Sequence, residues 1–242
     1  MGYLKTYENF KLEPHRNYNE RKEFQKQKLI KILQNKSYDG DLYLKDTDID
    51  SLYNLEEISG NIFLNKYIKD LKKLKIVNGE LRIDNNQYIK TLKSLIYVKN
   101  LRIFDNDIIK DISNIRLDSL NISFTKISKI PNLSLYNNLY IRYNQELTKL
   151  PNNITEINDL LISECLNFSD LNNLKTVVNL TLKNLGINTL KNIKTAYSID
   201  ISNSKIDNLG KLKICNQITI NEKQEYIKNI DNFFYTVKHN IY

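Results

Sequence analysis

Two apolar residues separated by a single position return along this chain at an almost fixed interval, beginning with Leu42/Leu44 and Ile62/Leu64 and ending with Ile199/Ile201 and Ile218/Ile220. Between these lie Leu81/Ile83, Leu101/Ile103, Leu120/Ile122, Leu139/Ile141, Leu160/Ile162 and Leu180/Leu182, so successive pairs stand 19 to 21 residues apart throughout. Unrelated globular domains do not keep such a step. A period of this length defines a stacked solenoid, in which each coil packs only on its neighbours. The 242 residues therefore serve one extended architecture.

Inside each unit the period changes. Alternation at the pair marks a short strand with two side chains turned inward. After it, apolar residues fall at every third position, as in Ile49, Leu52, Leu55 and Ile58, or Ile187, Leu190, Ile193 and Ala196. Period three is neither strand nor α-helix and fits a 3₁₀ or extended return leg that shows one edge to the core. Three residues past each pair stands Thr47, Tyr67, Asn86, Asn106, Thr125, Asn144, Cys165, Leu185, Ser204 or Lys223. Most of these are small and polar, as is required if stacked side chains are to bond the backbone groups left unpaired where strand bends into return leg.

At this point the chain resembles the leucine-rich repeat family, whose unit reads L-x-x-L-x-L-x-x-N/C-x-L; residues 117–127, LDSLNISFTKI, and 157–166, INDLLISECL, follow it closely. The resemblance spans about residues 40–230. It implies about ten coils of 19–21 residues, a parallel β-sheet on the concave face and short return legs. Tyr67, Leu185 and Lys223 depart from the polar ladder, so local distortion is expected at each, with Leu185 and Gly186 re-routing one turn.

A solenoid must close its ends, because about five apolar side chains per turn, each contributing roughly 1.5–3 kcal/mol when buried, have no second layer at a terminus. Residues 17–39 are expected to form a helical N-terminal cap, started by Asn17 or Asn19, that lays Phe24, Leu29, Ile30 and Leu33 on the first coil. The solenoid then occupies residues 40–222. A C-terminal cap over residues 223–242 offers Tyr226, Ile230, Phe233 and Phe234, and residues 1–16 form an arm.

The arm contains YLKTYENF, which resembles the head-targeting peptides, M-K-T-Y-x-x-F, of internal proteins of T-even-like phages. Leu4, Tyr7 and Phe10 make a stripe, but Lys11 stands where the head protease of those phages favours Leu or Ile. The resemblance implies a head-internal virion protein.

Composition excludes more than it selects. The net charge of +8 comes from 36 basic and 28 acidic residues in a background rich in Lys, Asn and Ile, which reads as coding bias as readily as affinity for a polyanion. Cys165 and Cys215 allow no disulfide framework, and His15 and His239 stand too far apart in sequence to suggest a metal site. No apolar run reaches the roughly 18 residues of a membrane span, and the charged N-terminus is unlike a signal peptide, so a cytoplasmic place is expected: host cytoplasm, or virion interior for a phage product. No catalytic, P-loop or dinucleotide motif is present; an enzyme, a cofactor and a small-molecule substrate are not expected.

The leucine-rich repeat resemblance implies binding through the sheet. The residues that the pleat turns away from the core are those between and just after the paired apolars, including Phe63 and Asn65 in the second coil. Tyr43, Phe63, Arg82, Arg102, Phe104, Tyr140 and Arg142 make the first six coils aromatic and Arg-rich, and this is the expected site. Guanidinium groups beside exposed rings fit a protein partner that carries carboxylates and apolar side chains. A nucleic-acid scaffold and a virion structural component are the alternatives.

Overall fold

The computed structural model describes residues 18–133, 135–220 and 236–239. The helix α1 (Tyr18–Leu33) leads into a β-solenoid of about ten coils. The strands are β1 (Ser37–Tyr38), β2 (Leu42–Tyr43), β3 (Glu57–Ile58), β4 (Ile62–Phe63), β5 (Ile76–Asp84), β6 (Tyr97–Asn106), β7 (Arg116–Thr125), β8 (Leu135–Arg142), β9 (Glu156–Cys165), β10 (Thr176–Leu185), β11 (Thr195–Asp200), β12 (Ile214–Ile220) and β13 (Thr236–His239). All pair in parallel, each coil on the next, in one 13-stranded sheet. Residues 34–39 already belong to the first coil, since β1 pairs with β3. At the other end β13 continues the sheet beside β12. The expected arm, the side chains proposed for the C-terminal cap and Lys223 lie outside the described residues.

Most coils bury six apolar side chains, one more than the sequence pattern promised, because the strand begins an inward position earlier than the paired residues. In the fourth coil Val98, Leu101, Ile103, Ile109, Ile112 and Ile115 are all buried. The return legs contain no helix among the described residues; at the same place in successive coils a single three-residue backbone turn closes, as in Leu74 N to Leu71 O (2.8 Å), Leu95 N to Leu92 O (3.0 Å) and Leu174 N to Leu171 O (3.2 Å). That bond spacing is the origin of the period-three apolar pattern.

The bend between strand and return leg is held by buried amides. Asn86 donates through Nδ2 to the carbonyls of Asn65 (3.0 Å) and Ile68 (2.8 Å) in the coil below. Its Oδ1 accepts the backbone N–H groups of Tyr88 (3.0 Å) and Ile89 (2.9 Å). Asn106 caps Ile108 and Ile109 in the same way, and Asn144 caps Glu146 and Leu147. The second amide of each pair, that of Ile89, Ile109 or Leu147, is buried, and the side chain supplies the partner that water cannot.

The second coil corrects the sequence reading. Tyr67 does not interrupt the ladder, because Asn65 fills it: Asn65 is 2 % exposed, donates to Thr47 O and Ile49 O, and accepts from Tyr67 N (2.7 Å) and Ile68 N (3.0 Å). An Asn in this role must sit three residues before the next buried apolar residue, as Asn86 does before Ile89 and Asn144 before Leu147. The bend of the second coil is two residues shorter, so counting forward from the pair missed it. The expected re-routing at Leu185 and Gly186 is also absent. Leu185 is buried in register with Cys165, and Gly186 runs close enough to donate to Phe168 O (3.1 Å), where a Cβ would meet Leu166 O at 2.8 Å.

A second ladder is confined to the first three coils. Val77 and Leu81 stand four residues apart where Val98 and Leu101 stand three apart, and the register shifts at that point. The extra residue is Gly79, and its equivalents are Gly60 and Gly40. Gly60 and Gly79 leave no room for a side chain: a Cβ on Gly60 would lie 2.5 Å from Gly40 O, and one on Gly79 equally close to Gly60 O, while Gly40 has a φ of 125°. Asp41 and Asn61 hold them by accepting the N–H groups of Asn61 and Glu80, each at 2.7 Å.

The helix caps the first coil through its last turns. Leu33 is fully buried, Leu29, Ile30 and Ile32 pack on the core, and Leu33 O accepts Asn54 N at 3.0 Å. Phe24, expected on that face, is half exposed. Nine residues at 3.6 per turn are two and a half turns, which puts Phe24 opposite Leu33. Lys26, seven before Leu33, lies on the docked face and pairs with Asp48 at 3.0 Å.

The ladder makes opposite forecasts for two neighbouring residues. Asn65→Leu leaves the buried amide of Ile68 and the part-buried amide of Tyr67 unpaired and should lower stability by about 1–3 kcal/mol, whereas Tyr67→Leu, at an exposed ring, should change it by less than about 0.5 kcal/mol. Denaturant midpoints of the two variants decide it; equal midpoints would remove Asn65 from the ladder.

Candidate functional site

Parallel register turns the outward side chains of the sheet into rows that run across the coils, one residue per coil at about 4.8 Å. The first row carries Tyr43, Phe63, Arg82, Arg102, Asn121, Tyr140 and Leu161. The second, two residues on, carries Asp84, Phe104, Ser123, Arg142 and Ser163. The seven residues singled out in the sequence thus fall into two adjacent rows, five in the first and Phe104 with Arg142 in the second. Asn65 leaves this face, since the ladder draws it into the interior.

Neighbouring coils modify these groups unequally. Tyr43 and Phe63 lie flat on each other, ring centroids 4.7 Å apart at 5°. The Arg82 guanidinium donates to Asp84 in its own strand, so its charge is met within the molecule. Among the described residues Arg102 and Arg142 make no ion pair, and Lys183 pairs with Asp200 at 2.8 Å. Burial raises the pKa of the Tyr140 phenol above its ordinary value, Asp159 reinforcing this and Arg142 opposing it, so Tyr140 is a neutral hydrogen-bonding group at physiological pH.

A third row, immediately before the ladder residues, escaped the sequence reading. Its members adopt a left-handed backbone: Asn85, Asp105, Phe124, Tyr143, Glu164, Asn184 and Asn203 all have φ between 50° and 62°. Asn and Asp tolerate this conformation; Phe124 (φ 53°) and Tyr143 (φ 51°) do so at a cost of about 1–2 kcal/mol each. Both rings are nearly half exposed. They stack at 4.3 Å and 10°, and Phe104 meets Phe124 edge to face at 5.4 Å. The signal in the sequence was two aromatics in a column otherwise filled by Asn, Asp and Glu. Beside them a shallow open depression of about 380 Å³ is lined by Arg142, Tyr143, Leu161, Ser163, Thr181 and Lys183 with the polar side chains of the third row.

Among the described residues no group of three or more His, Cys, Asp or Glu side chains could hold a metal ion. Cys165 belongs to the ladder, its sulfur accepting Asn144 N (3.4 Å) and its S–H directed to Ser163 O (3.2 Å), and burial pushes its thiol up to about 11. Cys215 is buried in the core and its thiol is likewise raised, by burial. No helix of the described residues is long and apolar enough to cross a membrane. Fold and surface together define a β-solenoid repeat protein with an aromatic and cationic patch on its sheet. No family model matches the chain, and no curated protein matches it either.

Two outcomes follow. Replacing Phe124 and Tyr143 together by Asn should leave denaturant stability within about 2 kcal/mol of the parent, because released backbone strain offsets the lost ring contacts of about 0.5–1.5 kcal/mol per pair. Iodoacetamide at pH 8 should modify Cys165 only after denaturation, since at that pH its thiolate is a small fraction of the total; rapid labelling of the folded protein would contradict the buried ladder role.

Proposed function

We propose that this chain is a non-enzymatic scaffold of the leucine-rich repeat kind that binds a partner protein through the outward face of its sheet. The observation that carries the reading is the patch made by the rings of Phe104, Phe124 and Tyr143 with the guanidinium groups of Arg102 and Arg142, which make no ion pair among the described residues. Exposed rings held in a costly backbone conformation, next to arginines, are the chemistry of interface hot spots. The partner that suits them offers carboxylates for the arginines and apolar side chains for the rings. Arg82, tied to Asp84, contributes shape more than charge. A cytoplasmic place accords with two cysteines kept as buried thiols. Placement inside a phage head rests on the Leu4, Tyr7 and Phe10 stripe alone, and mass spectrometry of purified virions tests it directly.

The central test is co-purification from the native host with the parent chain as bait, followed by charge reversal. Arg102→Glu should abolish recovery of the partner while leaving the circular dichroism spectrum intact, because that side chain leaves the core entirely. Lys213→Glu, at the end of a return leg, should keep affinity within a few-fold. Equal losses at both positions would mean that diffuse positive charge holds the partner.

A further inference from the structure

Lysines recur along the return legs, and several are answered by acids one coil away: Lys69 by Asp50 (2.7 Å), Lys126 by Asp107 (2.9 Å), Lys191 by Asp170 (2.9 Å). One column, the position where the return leg meets the strand, holds three lysines in successive coils without an ion pair among the described residues. In the first three coils it reads Lys36, Glu56, Lys75, alternating in sign, with Lys75 Nζ 2.7 Å from Glu56. In the last coils it reads Lys175, Lys194, Lys213. Their backbones are joined directly, Lys194 N to Lys175 O and Lys213 N to Lys194 O, both at 2.8 Å. All three are exposed, and none has a carboxylate at ion-pair distance among the described residues. Like charges facing each other across parallel strands are destabilising, so this stretch retains a cost that the same column avoids elsewhere.

Exposed apolar groups follow the three lysines in the strands that these lead into. Val178 and Tyr197 stand three residues beyond Lys175 and Lys194, 42 % and 60 % exposed, and Ile214, next to Lys213, is 58 % exposed. This surface belongs to the N-terminal ends of the strands in the last coils. The ring patch of Phe124 and Tyr143 is at the C-terminal ends of strands nearer the middle, so the two surfaces are separate.

We propose that Lys175, Lys194 and Lys213 form a rail for the phosphates of a single-stranded nucleic acid, with Tyr197 as a stacking platform for a base. The lysines lie on a line about 10 Å long, at the strand spacing of about 4.8 Å, and flexible side chains adapt that line to successive phosphates. Tyr197 stands three residues on from Lys194, about 10 Å at the strand rise, and an exposed ring on the same surface as a cationic track is the arrangement that holds single strands without sequence preference. A duplex keeps its base faces stacked and offers nothing to Tyr197.

Fluorescence anisotropy of a fluorescein-labelled oligothymidylate with the full chain tests the rail. Counterion release from three neutralised phosphates gives a slope of log affinity against log salt of about −2, and each single Lys→Gln change on the rail should reduce its magnitude by about 0.7. The triple variant should lose binding, while the triple Lys90→Gln, Lys93→Gln, Lys110→Gln control keeps it. Tyr197→Ala should weaken binding about five- to hundredfold with the slope unchanged. An unchanged slope in the triple rail variant overturns the assignment. So does a duplex bound as tightly as the single strand with no effect of Tyr197→Ala, or retention by phosphatidylserine vesicles but not by oligothymidylate.

Discussion

The structure depends on one kind of contact: a buried side-chain amide that accepts two backbone N–H groups at the bend of its own coil and donates to carbonyls of the coil below. Apolar burial drives the coils together but does not specify how they stack, because a row of leucines and isoleucines slides on another with little change in area. The amide does specify it. Its four hydrogen bonds are satisfied at one register only, and leaving them unmade costs more than making them gains. Where the sequence puts Thr, Cys, Ser or Leu in place of Asn, fewer bonds are made, yet neighbouring rungs carry the register through Leu185 without a break.

Fixed register is what converts a linear sequence into a surface. Residues 19 to 21 apart become neighbours, so a single substitution per coil suffices to draw a row of rings, of guanidinium groups or of ammonium groups. The aromatic patch shows how far this is used. Phe124 and Tyr143 occupy a column whose backbone suits Asn and Asp, and they stay there because the tight bend leaves that position no alternative conformation. Their stacking at 4.3 Å offsets part of the strain and holds both rings outward.

Much of this was legible in the sequence because each coil repeats one pattern of inward positions. The interval of the apolar pairs gave the coil number, the period-three run gave the non-helical return legs, and the pleat gave the rows that contain Tyr43, Phe63, Arg82, Arg102, Phe104, Tyr140 and Arg142. What escaped were features set by local geometry at a bend. The role of Asn65 depends on the distance to the following Ile68, not on the preceding pair, and a bend shortened by two residues hides it. Phe124 and Tyr143 look like ordinary loop residues until their backbone torsions are known. Phe24 has the hydrophobicity of a docked residue, but it lies half a turn out of phase with Leu33, through which the helix packs. The neutralisation of Arg82 by Asp84 is a contact between adjacent rows that residue type does not announce.

The glycine column separates the molecule into two interchangeable stocks of parts. A coil with Gly40, Gly60 or Gly79 before its paired residues carries a residue that later coils lack, and Gly60 and Gly79 each lie against the carbonyl of the preceding glycine with no side chain between. A copy of a later coil inserted among the first three would arrive one residue short and leave the glycine coil after it without the matching glycine on which it stacks. A copy of an early coil inserted among the later ones would carry a residue with no place in the ladder. Growth by duplication is therefore confined to each side of Gly79: the chain can lengthen within either block, and only the junction between β5 and β6 joins one kind to the other.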